Sequence, residues 1–173
     1  MRKILLGLLI VLLVPWPVQG QSSDYSKGHG YVFLAPGGRV TSGAGSRATL
    51  HLGVGGEWFF NRHLGAGADA GYLGAFEQGE NRTFEQSWGE FAADLVYRSR
   101  ARDKNNKTEP FLVAGCTLLT QRAWDGRSYR GGVNFGGGLN HWFNRHVGMR
   151  FEVRDSLVEH FNYAEIRLGL TFR

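Results

Sequence analysis

Ser156, Glu159 and His160 stand within four positions of one another, and a hydroxyl, a carboxylate and an imidazole are the groups that hydrolytic sites combine. Adjacency along the chain does not aim a nucleophile at a base, and no acyltransferase or deacylase signature surrounds the three. His160 therefore reads as a solvated loop residue, and no catalytic residue is assigned. His63 and His146 invite a metal reading because they recur in the related segments Phe59-Phe60-Asn61-Arg62-His63-Leu64-Gly65 and Trp142-Phe143-Asn144-Arg145-His146-Val147-Gly148. Single imidazoles in separate turns lack the ligand count of a site, so neither a metal nor a cofactor is expected. Gly136-Gly137-Gly138 lacks the lysine-bearing context of a phosphate loop.

The charges say more. Glu57, Asp69, Glu90, Asp94, Arg130, Arg150, Glu152, Arg154, Glu165 and Arg167 fall at alternating positions within segments whose other face is apolar. Enclosed in a low dielectric, such groups must pair, because an orphaned charge costs several kcal/mol. Glu152 with Arg154, and Glu165 with Arg167, occupy consecutive positions on the charged face of neighbouring segments. They can build a Glu-Arg ladder whose expected role is to fill and pin an interior, with an ion path as the alternative.

The elements that position these charges are strands. In 161–172, Ala164, Ile166, Leu168, Leu170 and Phe172 share one face, while Tyr163, Glu165, Arg167, Gly169 and Thr171 share the other. In 146–155, Val147, Met149, Phe151 and Val153 oppose His146, Gly148, Arg150, Glu152 and Arg154. The same period runs through 47–60, 63–76, 84–98 and 128–143. The segment 109–123 is apolar on both faces near its start, so its register stays open, and 28–36 is short and glycine-rich. These eight segments predict an all-β, eight-stranded antiparallel up-and-down barrel, the first strand pairing with the last to close the ring. Asn61-Arg62 and Asn144-Arg145 form very short connections four strands apart, on opposite sides of that ring.

The first twenty residues follow another logic. Arg2 and Lys3 precede the apolar run Ile4 to Val14, and Pro15-Trp16-Pro17 leads to a small-residue ending at Gly20. Residues 1–20 are expected to be a secretory signal peptide and 21–173 the barrel domain. Removing Arg2 and Lys3 takes the formal net charge from +5 to +3, too weak and scattered for nucleic acid. Cys116 is the single cysteine, so no internal disulfide staples the chain. No later stretch is apolar enough for a spanning helix, and the 26 glycines argue against long helices in general.

An exported chain of this kind enters a membrane as strands or stays soluble as a ligand cup. A cup needs an apolar interior and a wet exterior. Here the charged face is the glycine-rich one, as a narrow lumen requires, so the apolar face is expected to meet lipid. Aromatics cluster near the ends of the segments, Trp58, Phe59, Phe60, Trp142 and Phe143 at the repeated turns and Tyr72, Phe76, Trp124 and Tyr129 nearer the other ends, like interfacial belts. Trp58, Phe60, Asn61, Arg62, His63, Trp142, Phe143, Asn144, Arg145 and His146 are the expected interfacial residues, with Arg62 and Arg145 toward headgroups and the short turns toward the periplasm.

Together these features resemble the eight-stranded bacterial outer-membrane β-barrel superfamily, including the transmembrane domain of OmpA-like proteins and small OmpX-like proteins, over residues 25–173. The resemblance implies an outer-membrane location and contact with outer-membrane lipids. It also implies recognition by the β-barrel assembly machinery through the terminal strand, carried here by Ile166, Leu168, Leu170 and Phe172, although Arg173 follows where such chains commonly stop on the aromatic residue. The expected function is a non-enzymatic structural or surface-interacting barrel with a closed charged interior and an extracellular protein as a possible partner. A small porin or ion channel, a lipid-modifying enzyme and a soluble ligand-binding barrel are the alternatives.

Overall fold

The computed structural model describes residues 28–41, 45–76, 84–99, 107–123, 126–159 and 161–173. Residues 1–20, expected to be a signal peptide, lie outside the described residues, as do Trp124 and His160. Eight strands follow in order: β1 (Gly28–Thr41), β2 (Gly45–Phe59), β3 (Leu64–Phe76), β4 (Phe84–Arg98), β5 (Thr108–Ala123), β6 (Gly126–Trp142), β7 (Val147–Val158) and β8 (Phe161–Phe172). Each pairs antiparallel with its sequence neighbours, and β1 pairs with β8, so the sheet closes into a barrel without an edge. Closure satisfies every ladder hydrogen bond within the sheet, a requirement in hydrocarbon, where no water can substitute.

Alternation decides which residues face where. On β8, Tyr163, Glu165, Arg167 and Thr171 are buried while Ile166, Leu168, Leu170 and Phe172 are exposed. On β7, Arg150, Glu152 and Arg154 are buried and Met149, Phe151 and Val153 exposed. The molecule is thus inverted relative to a water-soluble domain: charge inside, aliphatic and aromatic side chains outside. Strand β5, whose register the pattern leaves open, turns Glu109, Phe111, Val113, Thr117 and Leu119 inward and Leu112 and Leu118 outward. Its register is set from both sides, by pairs such as Asp94↔Gly115 and Gly115↔Asn134.

The strands run further than expected at the end opposite the short turns. Strand β1 continues to Thr41, β6 begins at Gly126, and β7 reaches Val158. Pairing explains the extension, since β1 and β2 stay in register through Arg39↔Arg47 to Thr41↔Gly45 and thereby keep polar backbone bonded. At about 2.5 Å of height per tilted residue, the 14 residues of β1 span roughly 35 Å, well beyond an apolar band about 25 Å tall.

The repeated turns occupy residues 60–63 and 143–146, longer than two-residue connections. Their geometry is duplicated bond for bond. Asn61 Oδ1 accepts from the backbone N–H of His63 and of Leu64, both at 2.8 Å, and Asn144 Oδ1 accepts from His146 and Val147 at the same distances. Phe60 and Asn61 donate backbone N–H groups to Leu64 O, as Phe143 and Asn144 do to Val147 O. The asparagine side chain thus replaces a backbone acceptor and fixes the turn.

Candidate functional site

The inner face holds the chemistry. Strand β7 contributes Arg150, Glu152 and Arg154 in succession; β8 contributes Glu165 and Arg167; β2, β3 and β4 supply Glu57, Asp69, Glu90 and Asp94. Register places opposite charges abreast, Glu152 beside Arg167 and Arg154 beside Glu165. Along each strand the alternate positions also bond, with Glu152 accepting from Arg150 Nε at 2.9 Å and from Arg154 Nε at 2.6 Å, and Glu165 accepting from Arg167 Nε.

Other bonds cross the lumen. Arg154 Nη1 on β7 reaches Asp69 Oδ2 on β3 at 3.1 Å, and β3 lies four strands away on the far side of the ring. Arg167 Nη2 on β8 reaches Glu90 Oε1 on β4 at 3.3 Å across the other diameter. Asp69 Oδ2 also accepts from Arg167 Nη1 at 3.1 Å, Arg154 Nη1 stands 3.0 Å from Asp94, and Arg150 Nη1 stands 2.7 Å from Glu57. These guanidiniums and carboxylates form one connected network, and the interior bridges pass through the space a channel would need.

Aromatic rings frame the network. Arg150 Cζ lies 3.9 Å from the Phe111 ring and 4.3 Å from Tyr31, and Arg167 Cζ lies 4.3 Å from Phe33. Beyond it, Leu73, Ala75, Trp88, Leu119, Val158 and Tyr163 form an apolar cluster toward the end opposite the short turns. Glycine makes room where a ring must cross: a Cβ on Gly55 would stand 2.5 Å from the Tyr31 ring.

Nine of the ten sequence-selected charges are buried. Arg130 differs: it is half-buried on the inner face of β6 toward the open end, within the field of Arg39 on β1. Alternation gives its face, while its distance from the barrel centre gives its wetter setting. Sequence reasoning passed over His51, Arg98 and Glu109. His51 and Arg98 already shared the charged face of their segments, whereas Glu109 sat on the strand of open register.

The interfacial expectation needs correction at Phe59, which is buried inside the barrel with Arg98 Cζ 3.7 Å over its ring, and at Trp142. Trp58, Phe60 and Phe143 are exposed on the outside, and Asn61, Arg62, His63, Asn144, Arg145 and His146 are exposed in the turns. Trp142 instead points into the barrel, only 4% exposed. It shares the face of Asn140, and parity alone would have shown this. Its Nε1 donates to Glu109 Oε2 at 3.0 Å, and Arg173 lies 3.7 Å above its ring while bonding the same carboxylate at 2.9 Å. The residue after the terminal aromatic thus helps close the short-turn end.

Of the three residues with hydrolytic side chains, Ser156 and Glu159 do not share a loop. Ser156 is buried on the inner face of β7, Glu159 is exposed at the end of that strand, and His160 lies outside the described residues. Cys116 is exposed on the outer face of β5.

Comparison with known proteins agrees with this architecture. Residues 6–173 match the family described as the outer membrane protein beta-barrel domain. Among curated proteins, none matches the chain. Among solved structures, neisserial surface protein A is similar at 13% identity and a TM-score of 0.66, covering 85% of this chain and 97% of its own. The attachment invasion locus protein of Yersinia pestis is similar at 11% identity, TM-score 0.53, over 86% of this chain and 99% of its own. The N-terminal β-barrel domain of Pseudomonas aeruginosa OprF gives 14% identity and 0.53 over 82% and 97%. At these identities the likeness is one of fold.

Proposed function

The chain belongs to the outer membrane protein β-barrel domain family, and from that premise we propose that it is a closed, non-enzymatic barrel that holds surface links and strengthens the outer membrane without conducting. One observation carries the reading: buried ion pairs bridge the lumen along two diameters, Asp69 to Arg154 and Glu90 to Arg167. An ion entering would have to displace charges already paired in low dielectric, at a cost of several kcal/mol. Trp142, Glu109 and Arg173 close the short-turn end behind them.

Several details go with this role. Residues 1–20 act as a leader, and Ile166, Leu168, Leu170 and Phe172 serve as the strand recognised by the assembly machinery. Trp58, Phe60 and Phe143 seat the barrel at the lipid interface while Arg62 and Arg145 meet headgroups. The links at the opposite end are the surface available to an extracellular partner. Sharing a fold with proteins named for surface location and for attachment and invasion supports that direction.

Planar-bilayer recording of the purified, refolded barrel tests the closed state. A silent bilayer is expected, and steady, reproducible single-channel conductance would overturn the reading in favour of a narrow pore.

A further inference from the structure

Among the described residues of the network, three guanidiniums serve six carboxylates: Arg150, Arg154 and Arg167 are the arginine partners of Glu57, Asp69, Glu90, Asp94, Glu152 and Glu165. Coulomb repulsion among the surplus anions is poorly screened there, so a further cation has a strong reason to enter. The groups that would receive it are on one side of Arg167. Glu90 and Glu165 each give Oε1 to that guanidinium and turn Oε2 toward His51 Nδ1, at 3.4 Å and 3.1 Å respectively. Glu90 Oε2 is buried, with His51 Nδ1 as its near neighbour. All three side chains are fully shielded from solvent.

We propose that His51 Nδ1, Glu90 Oε2 and Glu165 Oε2 bind one divalent transition-metal ion of the zinc class within the barrel. Each of the three residues offers one ligand atom within 4.8 Å of those of the other two. A tetrahedral ion with bonds of about 2.0–2.1 Å separates its ligands by roughly 3.3–3.4 Å, close to the two distances from His51 Nδ1. An imidazole with two carboxylates suits zinc and its neighbours, whereas calcium and magnesium want more oxygen and no imidazole.

The ligands come from β2, β4 and β8, so the site is complete only when the last strand has closed the ring. His51 sits against Gly71, whose missing side chain leaves space for the imidazole. The ion would therefore be captured during closure and retained afterwards, and binding would count toward folding.

The test refolds the full chain from urea into detergent micelles, with zinc chloride or with EDTA throughout. Folded barrel is then washed with EDTA and its metal measured by mass spectrometry. About one zinc per barrel, surviving the wash and raising the midpoint of heat-induced unfolding, is the expected result for a single closed site. Zinc on the exposed turn histidines His63 and His146 is removed by the same wash, and a H63N/H146N variant should retain the full content. H51A should hold less than about a tenth of the metal, and where that variant fails to fold, the wild-type stoichiometry decides. Folded wild-type barrel with no wash-resistant zinc, and equal stability with zinc or EDTA, would overturn the proposal and leave His51 as a polar partner of Glu90 and Glu165.

Discussion

Arg154 shows how much one buried side chain can hold. It bonds Glu152 through Nε at 2.6 Å, and through Nη1 meets Asp69 at 3.1 Å and Asp94 at 3.0 Å. Replacing it with Met keeps much of the volume but removes the charge from among three shielded carboxylates. Breaking a buried pair from one side costs about 3–5 kcal/mol, far more than the pair contributes relative to an apolar filling. Arg154→Met should therefore lower the urea midpoint of unfolding in lipid vesicles markedly, and adding Asp94→Asn should recover part of the loss. Unchanged stability in the single variant would show that water reaches the network. The membership of this set was legible because charges kept to one face at every second position. The partners were not, because pairs such as Asp69–Arg154 join residues 85 positions apart whose meeting depends on which strands oppose each other across the ring. His51 was legible as an inward residue, but its approach to Glu165 across 114 positions needed the closed barrel.

At the level of the element, alternation specified the strands and asparagine specified the turns. Period two sufficed for six strands, since a one-residue slip would exchange the charged and apolar faces, while the short, glycine-rich first segment showed no such pattern. It failed on β5, where Phe111 and Leu112 are both apolar yet face opposite ways, because a lumen lined by aromatics around Arg150 accepts an apolar residue as readily as lipid does. Strand ends were less legible still: pairing of β1 with β2 extends past the apolar band into a stretch, Gly37 to Thr41, whose composition resembles a loop. The turns offer a sharper test. Asn61 and Asn144 each supply one oxygen to two backbone N–H groups, in exposed positions where the net value of such bonds is about 1 kcal/mol. Asn61→Ala and Asn144→Ala should each destabilise the refolded barrel by about that amount. The double variant should show the sum, because the two turns sit on opposite sides of the ring and share no partner. A strongly non-additive double variant would mean that the turns are coupled through the strands between them.

The whole molecule is an inside-out object whose outer face is read by depth. Trp58, at the short-turn end of β2, is exposed to the surroundings, as are Phe60 and Phe143. Val54 lies on the same outer face about four residues further along, level with Val32 on one neighbour and Ala70 on the other. At about 2.5 Å of height per residue it stands roughly 10 Å above Trp58, close to the middle of an apolar band about 25 Å tall. Val40, eight residues beyond Val32 on β1, stands roughly 20 Å higher and outside that band, although it is as exposed as Val54, 60% against 57%. Exposure alone therefore predicts equal effects from substituting the two valines. A lipid surround predicts unequal ones: Arg at the midplane costs about 2–4 kcal/mol, and near or beyond the interface about 0–1. Val54→Arg should lower the unfolding free energy in vesicles by the larger amount and Val40→Arg by the smaller. In small detergent micelles, which deform around a charge, the difference should narrow. Equal effects in vesicles would mean that Val54 is not held in hydrocarbon and that the barrel sits differently in the membrane, whatever the strand pattern says.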